Sequence, residues 1–376
     1  MDERPLLCYN IPENSRKISR KESFFMNSTK QKRIADYGIA IGSLPKGPLN
    51  KITDVPGVKV GHCTVATEEH NTGVTVILPC ADNLFANKLP AAAFVWNGFG
   101  KTAGLAQVEE LGTLECPIAL TNTLNVGLVH DALVEYMVGR CEKDGVPMHS
   151  INPVVGECND SGLSNISRRA IGRKEVFAAI DSACADFAEG AVGAGRGTIC
   201  HGLKGGIGSA SRQIELDGKT YTLGVLVQSN YGKLADFTLC GRLIGPKILE
   251  EQQLADVNVD KGSIMMIVAT DLPASDRQLR RIIKRCSVGL ARLGSYVGHG
   301  SGEIMIGFTT AARIRYDEPC GTVNLPILNE NKIDLAFRAA AEATEEAVLN
   351  SMICAEPVTY QGKTRHSLRE YEKYLG

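Results

Sequence analysis

The pattern of apolar and polar positions divides this chain near its start. Residues 1–33 are polar and of mixed charge ("NSRKISRKESFFMNSTKQKR" within them), which predicts a disordered leader that stays out of the core. From Ile34 onward the character changes. "VTVILP" (74–79), "YTLGVLVQS" (221–229), "SIMMIVAT" (263–270) and "EIMIGFTT" (303–310) are short β-rich runs bounded by Gly, Pro or Asn, and each is expected as a strand. Between them the period lengthens. "TLNVGLVHDALVEYMVGR" puts Val126, Val129, Leu133, Tyr136 and Met137 on one helical face. In "SDRQLRRIIKRCSVGLARLG" Ser275 and Gln278 have capping-box spacing, Leu279, Ile282, Ile283, Cys286 and Leu290 form an apolar stripe, and Gly294 is the expected stop. "DLAFRAAAEATEEAVLNSM" (334–352) predicts a third helix, Ala-rich and suited to close packing. Strands and helices alternate with no Pro- or Ser-rich linker and no fixed repeat, so a single α/β domain of layered sheets and helices is expected over 34–376.

Composition narrows the partners. The 376 residues carry a net charge of −1 with 44% apolar content, which fits a soluble globular protein. A basic face for nucleic acid or an anionic membrane is not indicated. No apolar run nears the length of a membrane span; none is longer than "AAAFVW" (91–96). Twelve cysteines are scattered from Cys8 to Cys354 without a C-x-x-C pair, and no two of the seven histidines have metal-ligand spacing. Reduced thiols, no metal, no cofactor and a cytoplasmic location are the expectations, with a small molecule as substrate.

Two glycine-rich stretches invite a nucleotide reading and fail it. In "WNGFGKTAG" (96–104) Val95 stands where a phosphate loop needs its first glycine. In "GAVGAGRGTICHGLKGGIGSASR" (190–212) Thr198 takes the place of the third glycine of a dinucleotide fingerprint. Both read better as loops whose backbone packs closely. His130, next to an apolar position of its helix, reads as half-buried and structural, and His299 in "GHGSGE" reads as a possible lining residue. No nucleophile elbow occurs.

The chemistry concentrates around Gly262-Ser263. A serine is a weak nucleophile without a group to take its proton, and no histidine is near in sequence. Cutting the chain between Gly262 and Ser263 supplies one: the freed α-amine, with an ordinary pKa of roughly 7.7–8, is partly neutral near pH 7.5 and can serve its own hydroxyl. Glycine before the cut tolerates the backbone strain of the attack. In "GSGE" Ser301 and Glu303 are two apart at a strand start, so they share a face, with Gly300 and Gly302 leaving room beside them. A hydroxyl backed by a carboxylate can orient a second group.

Six stretches in order, "ITDVPGVKVGH" (52–62), "TGVTVILP" (72–79), "KGGIGSASR" (204–212), "GVLVQSNYG" (224–232), "GSIMMIVATDLPASDRQLRR" (262–281) and "GSGE" (300–303), closely resemble the self-processing aminopeptidases related to L-aminopeptidase/D-amino-acid esterase and β-peptidyl aminopeptidases. The resemblance covers about 34–355. It implies a four-layer αββα sandwich like that of ornithine acetyltransferases and autocleavage between Gly262 and Ser263 into an α chain, 1–262, and a β chain, 263–376. It also implies Ser263 as nucleophile, Ser301 with Glu303 as assisting hydroxyl and carboxylate, Asn230 as oxyanion donor, and Glu157 in "GECND" as partner of the substrate's free amine. A homo-oligomer, a tetramer of αβ heterodimers, follows from the same likeness. Asn159 departs from it: some members carry tyrosine two residues after the glutamate, which bears on substrate preference. The reaction implied is release of N-terminal residues from short peptides, amides or esters. Acyl transfer to an amine, or an uncut copy that binds or assembles, are the alternatives; Ser263 in place of threonine weighs against the first, and the intact set Ser263, Ser301, Glu303 and Asn230 against the second.

Overall fold

The computed structural model describes residues 31–252 and 261–376, so the leader expected over 1–33 lies outside them save for its last three residues. Nine main strands form two sheets. The smaller contains β1 (Lys59–Ala66), β2 (Asn71–Leu78), β4 (Ile118–Asn122) and β5 (Val154–Cys158) in the order β1-β2-β4-β5, antiparallel except for the last pair. The larger takes β3 (Asn87–Gly98), β6 (Gly206–Leu216), β7 (Lys219–Asn230), β8 (Lys261–Thr270) and β9 (Gly300–Thr309) in the order β3-β9-β8-β7-β6. Two-residue strands at Thr113–Leu114 and Ile314–Arg315 extend it along β3. Strands β8 and β9 run parallel at its centre and their other neighbours are antiparallel.

Period-two alternation explains why these runs form central strands. In β8, Ile264, Met266 and Val268 enter one core while Met265, Ile267 and Ala269 enter another. Each of the Ile, Met and Val side chains contributes roughly 1.5–3 kcal/mol on burial, and a slip of one residue would exchange the two sets. The first core joins the larger sheet to α5 (Asp276–Ile283), α6 (Cys286–Arg292) and α7 (Ile333–Ile353). The second joins side chains of both sheets, Leu120, Val154 and Cys158 meeting Leu226, Met265 and Ile304. The third joins the smaller sheet to α2 (Val126–Asp144) and α3 (Arg173–Asp181). Helices α1 (Leu105–Leu111) and α4 (Gly245–Gln252) are short connectors. Among the described residues no helix is long and apolar enough to cross a membrane.

The four quoted strands and the helices over 126–144 and 333–353 match the sequence expectation. One helix does not. The stripe from Leu279 to Leu290 is buried as expected, and Ser275 and Gln278 form the capping box, but the helix breaks at Lys284-Arg285. There the Arg285 amide bonds Ile282 and the Val288 amide bonds Arg285, i to i−3 contacts that tighten the turn and split the helix into α5 and α6.

Candidate active site

The strand ends on one side of the larger sheet bring the sequence-derived residues together. Ser263, the third residue of β8, lies directly across from Asn230, the last of β7. On the other flank, β9 sets Ser301 opposite Gly262 and Gly302 opposite Ser263. The Ser301 hydroxyl donates to Glu303 Oε1, the alternation of β9 having placed both side chains on one face. Ser263, Ser301, Glu303 and Asn230 are all buried. A hydroxyl, a hydroxyl–carboxylate pair and a carboxamide thus occupy three adjacent strands.

Strand β8 runs unbroken through the Gly262–Ser263 bond, and the backbone there is crowded. A Cβ on Gly262 would sit 2.0 Å from the Asn230 carbonyl oxygen, and one on Gly302 would sit 2.7 Å from the Phe99 carbonyl oxygen. Both positions are reserved for glycine by close approach. The Asn97 side-chain NH2 donates to the carbonyls of Gly298 (3.1 Å), His299 (3.3 Å) and Ser301, fixing the entry into β9. His299 is itself exposed, and His130 is half-buried in α2.

Asn230 is oriented by its own oxygen. Its Oδ1 accepts from the Ile199 amide at 2.9 Å, which leaves the NH2 end for another acceptor. Glu157, on β5 of the smaller sheet, is buried, with Oε1 accepting from the Lys101 amide at 2.9 Å and Oε2 from the Thr123 hydroxyl. A carboxylate has about four lone-pair sites, so these two donors leave it able to accept from a cation. Its neighbour Cys158 reaches across the sheets, the thiol donating at 3.4 Å to the carbonyls of both Ser263 and Gln228. Burial, and then Glu157, push that thiol's pKa well above the usual range, so it remains protonated and inert. Asp160, at the turn after β5, is pushed up to about 6 by burial, against hydrogen bonds from Thr72 and Asn122.

Sequence reading missed Asn97, Cys158 and Lys204. Lys204 is the most surprising of them: its Nζ is fully buried and donates to the carbonyls of Gly195 (2.9 Å), Thr198 (2.8 Å) and Gly205 (2.8 Å). The available signal was a lone lysine inside a glycine-rich stretch. Among the described residues no cluster of three or more His, Cys, Asp or Glu side chains could hold a metal.

Comparison with known proteins gives a consistent picture. The model of a family described as peptidase family S58 matches residues 50–365. The β-peptidyl aminopeptidase of Sphingosinicella xenopeptidilytica is 36% identical over 353 residues, covering 87% of this chain and 86% of that protein. Among solved structures, a protein of Pyrococcus horikoshii OT3 superposes with a TM-score of 0.85 at 44% identity, covering 91% of this chain and 98% of that one. The L-aminopeptidase D-Ala-esterase/amidase of Ochrobactrum anthropi, described as a prototype of serine aminopeptidases and a variant of the Ntn hydrolase fold, superposes at 0.83 with 32% identity, covering 92% and 99%.

Proposed function

The chain belongs to peptidase family S58, and from that premise we propose that it is a self-processing serine aminopeptidase that cuts itself between Gly262 and Ser263 and then releases N-terminal residues from short peptides, amides or esters. The observation that carries this reading is the register of the larger sheet, which sets Ser263 between Asn230 on one flank and Gly302, beside Ser301, on the other. The helix, sheet, sheet, helix layering is part of the same proposal, supported by the three cores, as is assembly into a tetramer of αβ pairs, for which the resemblance alone speaks.

The two reactions need different bases. During self-cleavage the nitrogen of Ser263 is still an amide and can accept no proton. Ser301 therefore takes the proton from Ser263 Oγ while passing its own to the Glu303 carboxylate, as the Ser263 oxygen bonds the Gly262 carbonyl carbon. The C–N bond breaks, the proton passes to the departing nitrogen, and water hydrolyses the resulting ester to leave a Gly262 carboxylate and a Ser263 α-amine. In turnover that amine becomes available for its own hydroxyl. Ser263 Oγ attacks the carbonyl of the substrate's first residue, the Asn230 NH2 holds the oxyanion, the leaving amine departs with the proton, and water releases the acyl group. Losing a donor of this kind typically costs on the order of 2.7–4 kcal/mol of transition-state stabilisation.

Glu157 supplies the preference for a free amine. A buried carboxylate gains from a cationic partner, and an acylated N-terminus would leave it without one. The test is turnover of L-alanyl and β-alanyl p-nitroanilides against their N-acetyl forms. The free amines should react at least a hundredfold faster, and Glu157→Gln should erase most of that difference; equal rates for free and acetylated substrates would remove Glu157 from the role.

A further inference from the structure

The proposed oxyanion donor is connected to a buried lysine through a single peptide group. The Thr198–Ile199 peptide has both polar ends engaged: its carbonyl accepts from Lys204 Nζ at 2.8 Å and from the Gly205 amide at 3.0 Å, and its N–H donates to Asn230 Oδ1 at 2.9 Å. The path runs from ammonium to peptide to carboxamide, and the far end of the carboxamide is the NH2 assigned to the oxyanion. Lys204 and Thr198 have no solvent exposure. Three N–H groups meet three carbonyls, a match that only the protonated amine can make in full.

A purely structural lysine would be an expensive way to close this loop. Among the described residues the hydrogen-bond partners of Lys204 Nζ are all backbone carbonyls, although taking an ammonium out of water without a counter-charge costs several kcal/mol. Burial draws its pKa well below the ordinary lysine value; Arg196 acts in the same sense, and Cys200 and Asp160 oppose it. A charge without a directly bonded counter-charge is useful where negative charge develops. In a low-dielectric site a hydrogen-bond chain ending on a cation polarises each member in turn, and the last donor is strengthened.

We propose that Lys204 is a positioning residue for the oxyanion donor: through the Thr198–Ile199 peptide its ammonium orients and polarises the Asn230 carboxamide, so that the NH2 binds the acyl oxygen more strongly in the transition state than in the ground state. The inference rests on the assignment of Asn230 made above. It predicts an effect on kcat that exists only while Asn230 is present.

The test is a double-mutant cycle with Lys204→Met, Asn230→Ala and the double variant, with L-alanyl p-nitroanilide as substrate and rates expressed per cut chain. Lys204→Met should lower kcat at least tenfold with KM changed less than twofold, and on the Asn230→Ala background its effect should shrink below twofold. An equal factor on both backgrounds would make Lys204 merely structural and overturn the proposal. An unchanged kcat in Lys204→Met beside an impaired Asn230→Ala would overturn the proposal alone, whereas an unimpaired Asn230→Ala would remove the oxyanion assignment beneath it. Where Lys204→Met does not fold, Lys204→Gln, which keeps two donors and drops the charge, carries the same cycle. On the wild type, 15N NMR of Lys204 Nζ should report an ammonium at pH 7.5; a neutral amine there would also overturn the proposal.

Discussion

Gly262 illustrates how one residue can be fixed by chemistry and packing together. Its Cα lies so close to Asn230 that a methyl group would overlap the carbonyl oxygen at 2.0 Å, and that oxygen belongs to backbone and cannot rotate away. Gly262→Ala should therefore move the end of β7 and the start of β8 apart. We expect a loss of stability on the order of 1–3 kcal/mol, as for overpacking elsewhere, and self-cleavage slowed at least tenfold, measured by urea denaturation and by the time course of chain splitting. Normal stability with normal splitting would mean the strand ends give way easily. At this scale the sequence was informative where the chemistry is local: Ser301 and Glu303 are two apart, and alternation alone brings them to one face. It was silent on Lys204, whose partners are backbone carbonyls, because carbonyls leave no mark in residue identity. Arg33 escaped for the same reason in part, since several of its partners are carbonyls too. Placed with the leader by its polar neighbours, it pairs with Glu189 at 2.8 Å and donates to the carbonyls of Leu49 (3.0 Å) and Asn50 (2.8 Å).

Elements meet at the site through their ends, and one such junction carries a measurable charge effect. After β5 the chain turns at Asp160, whose Oδ2 accepts from Asn122 at the end of β4 at 3.0 Å, while Asn122 also donates to Thr72 near the start of β2 at 3.0 Å. Burial raises the Asp160 pKa from 3.8 to about 6. Between these values the unfolded chain has released the proton and the folded chain keeps it, so folding binds a proton and stability falls as pH rises through that window. Asp160→Asn keeps an acceptor for Asn122 and removes the titration. Its stability relative to wild type should rise between pH 4 and pH 6.5 by on the order of 2–3 kcal/mol; a constant difference would mean that Asp160 is ionised throughout. The helices show the limit of periodicity as a guide. The stripe from Leu279 to Leu290 foretold which side is buried but not the break at Lys284-Arg285, because an i to i−3 turn preserves the stripe while bending the axis.

At the scale of the molecule, the proposed cut falls inside a sheet rather than in a loop. Strand β8 from Ser263 onward and strand β9, both in the part after Gly262, lie between β7 and β3, which come before it. Helices α5, α6 and α7 of the same part share a core with β7. Severing one peptide bond leaves the β8 contacts with β7 and the β9 contacts with β3 in place, so the two pieces should stay together in native buffer and separate only on denaturation. The measurement that bears most directly on the whole account is therefore intact mass under denaturing conditions, for wild type and Ser263→Ala. In proportion to length, the 40.4 kDa chain should yield pieces of about 28 and about 12 kDa for wild type, the smaller beginning at Ser263, while the alanine variant stays whole. Two full-length chains, both folded, would contradict the self-processing nucleophile and with it the mechanism built on Ser263.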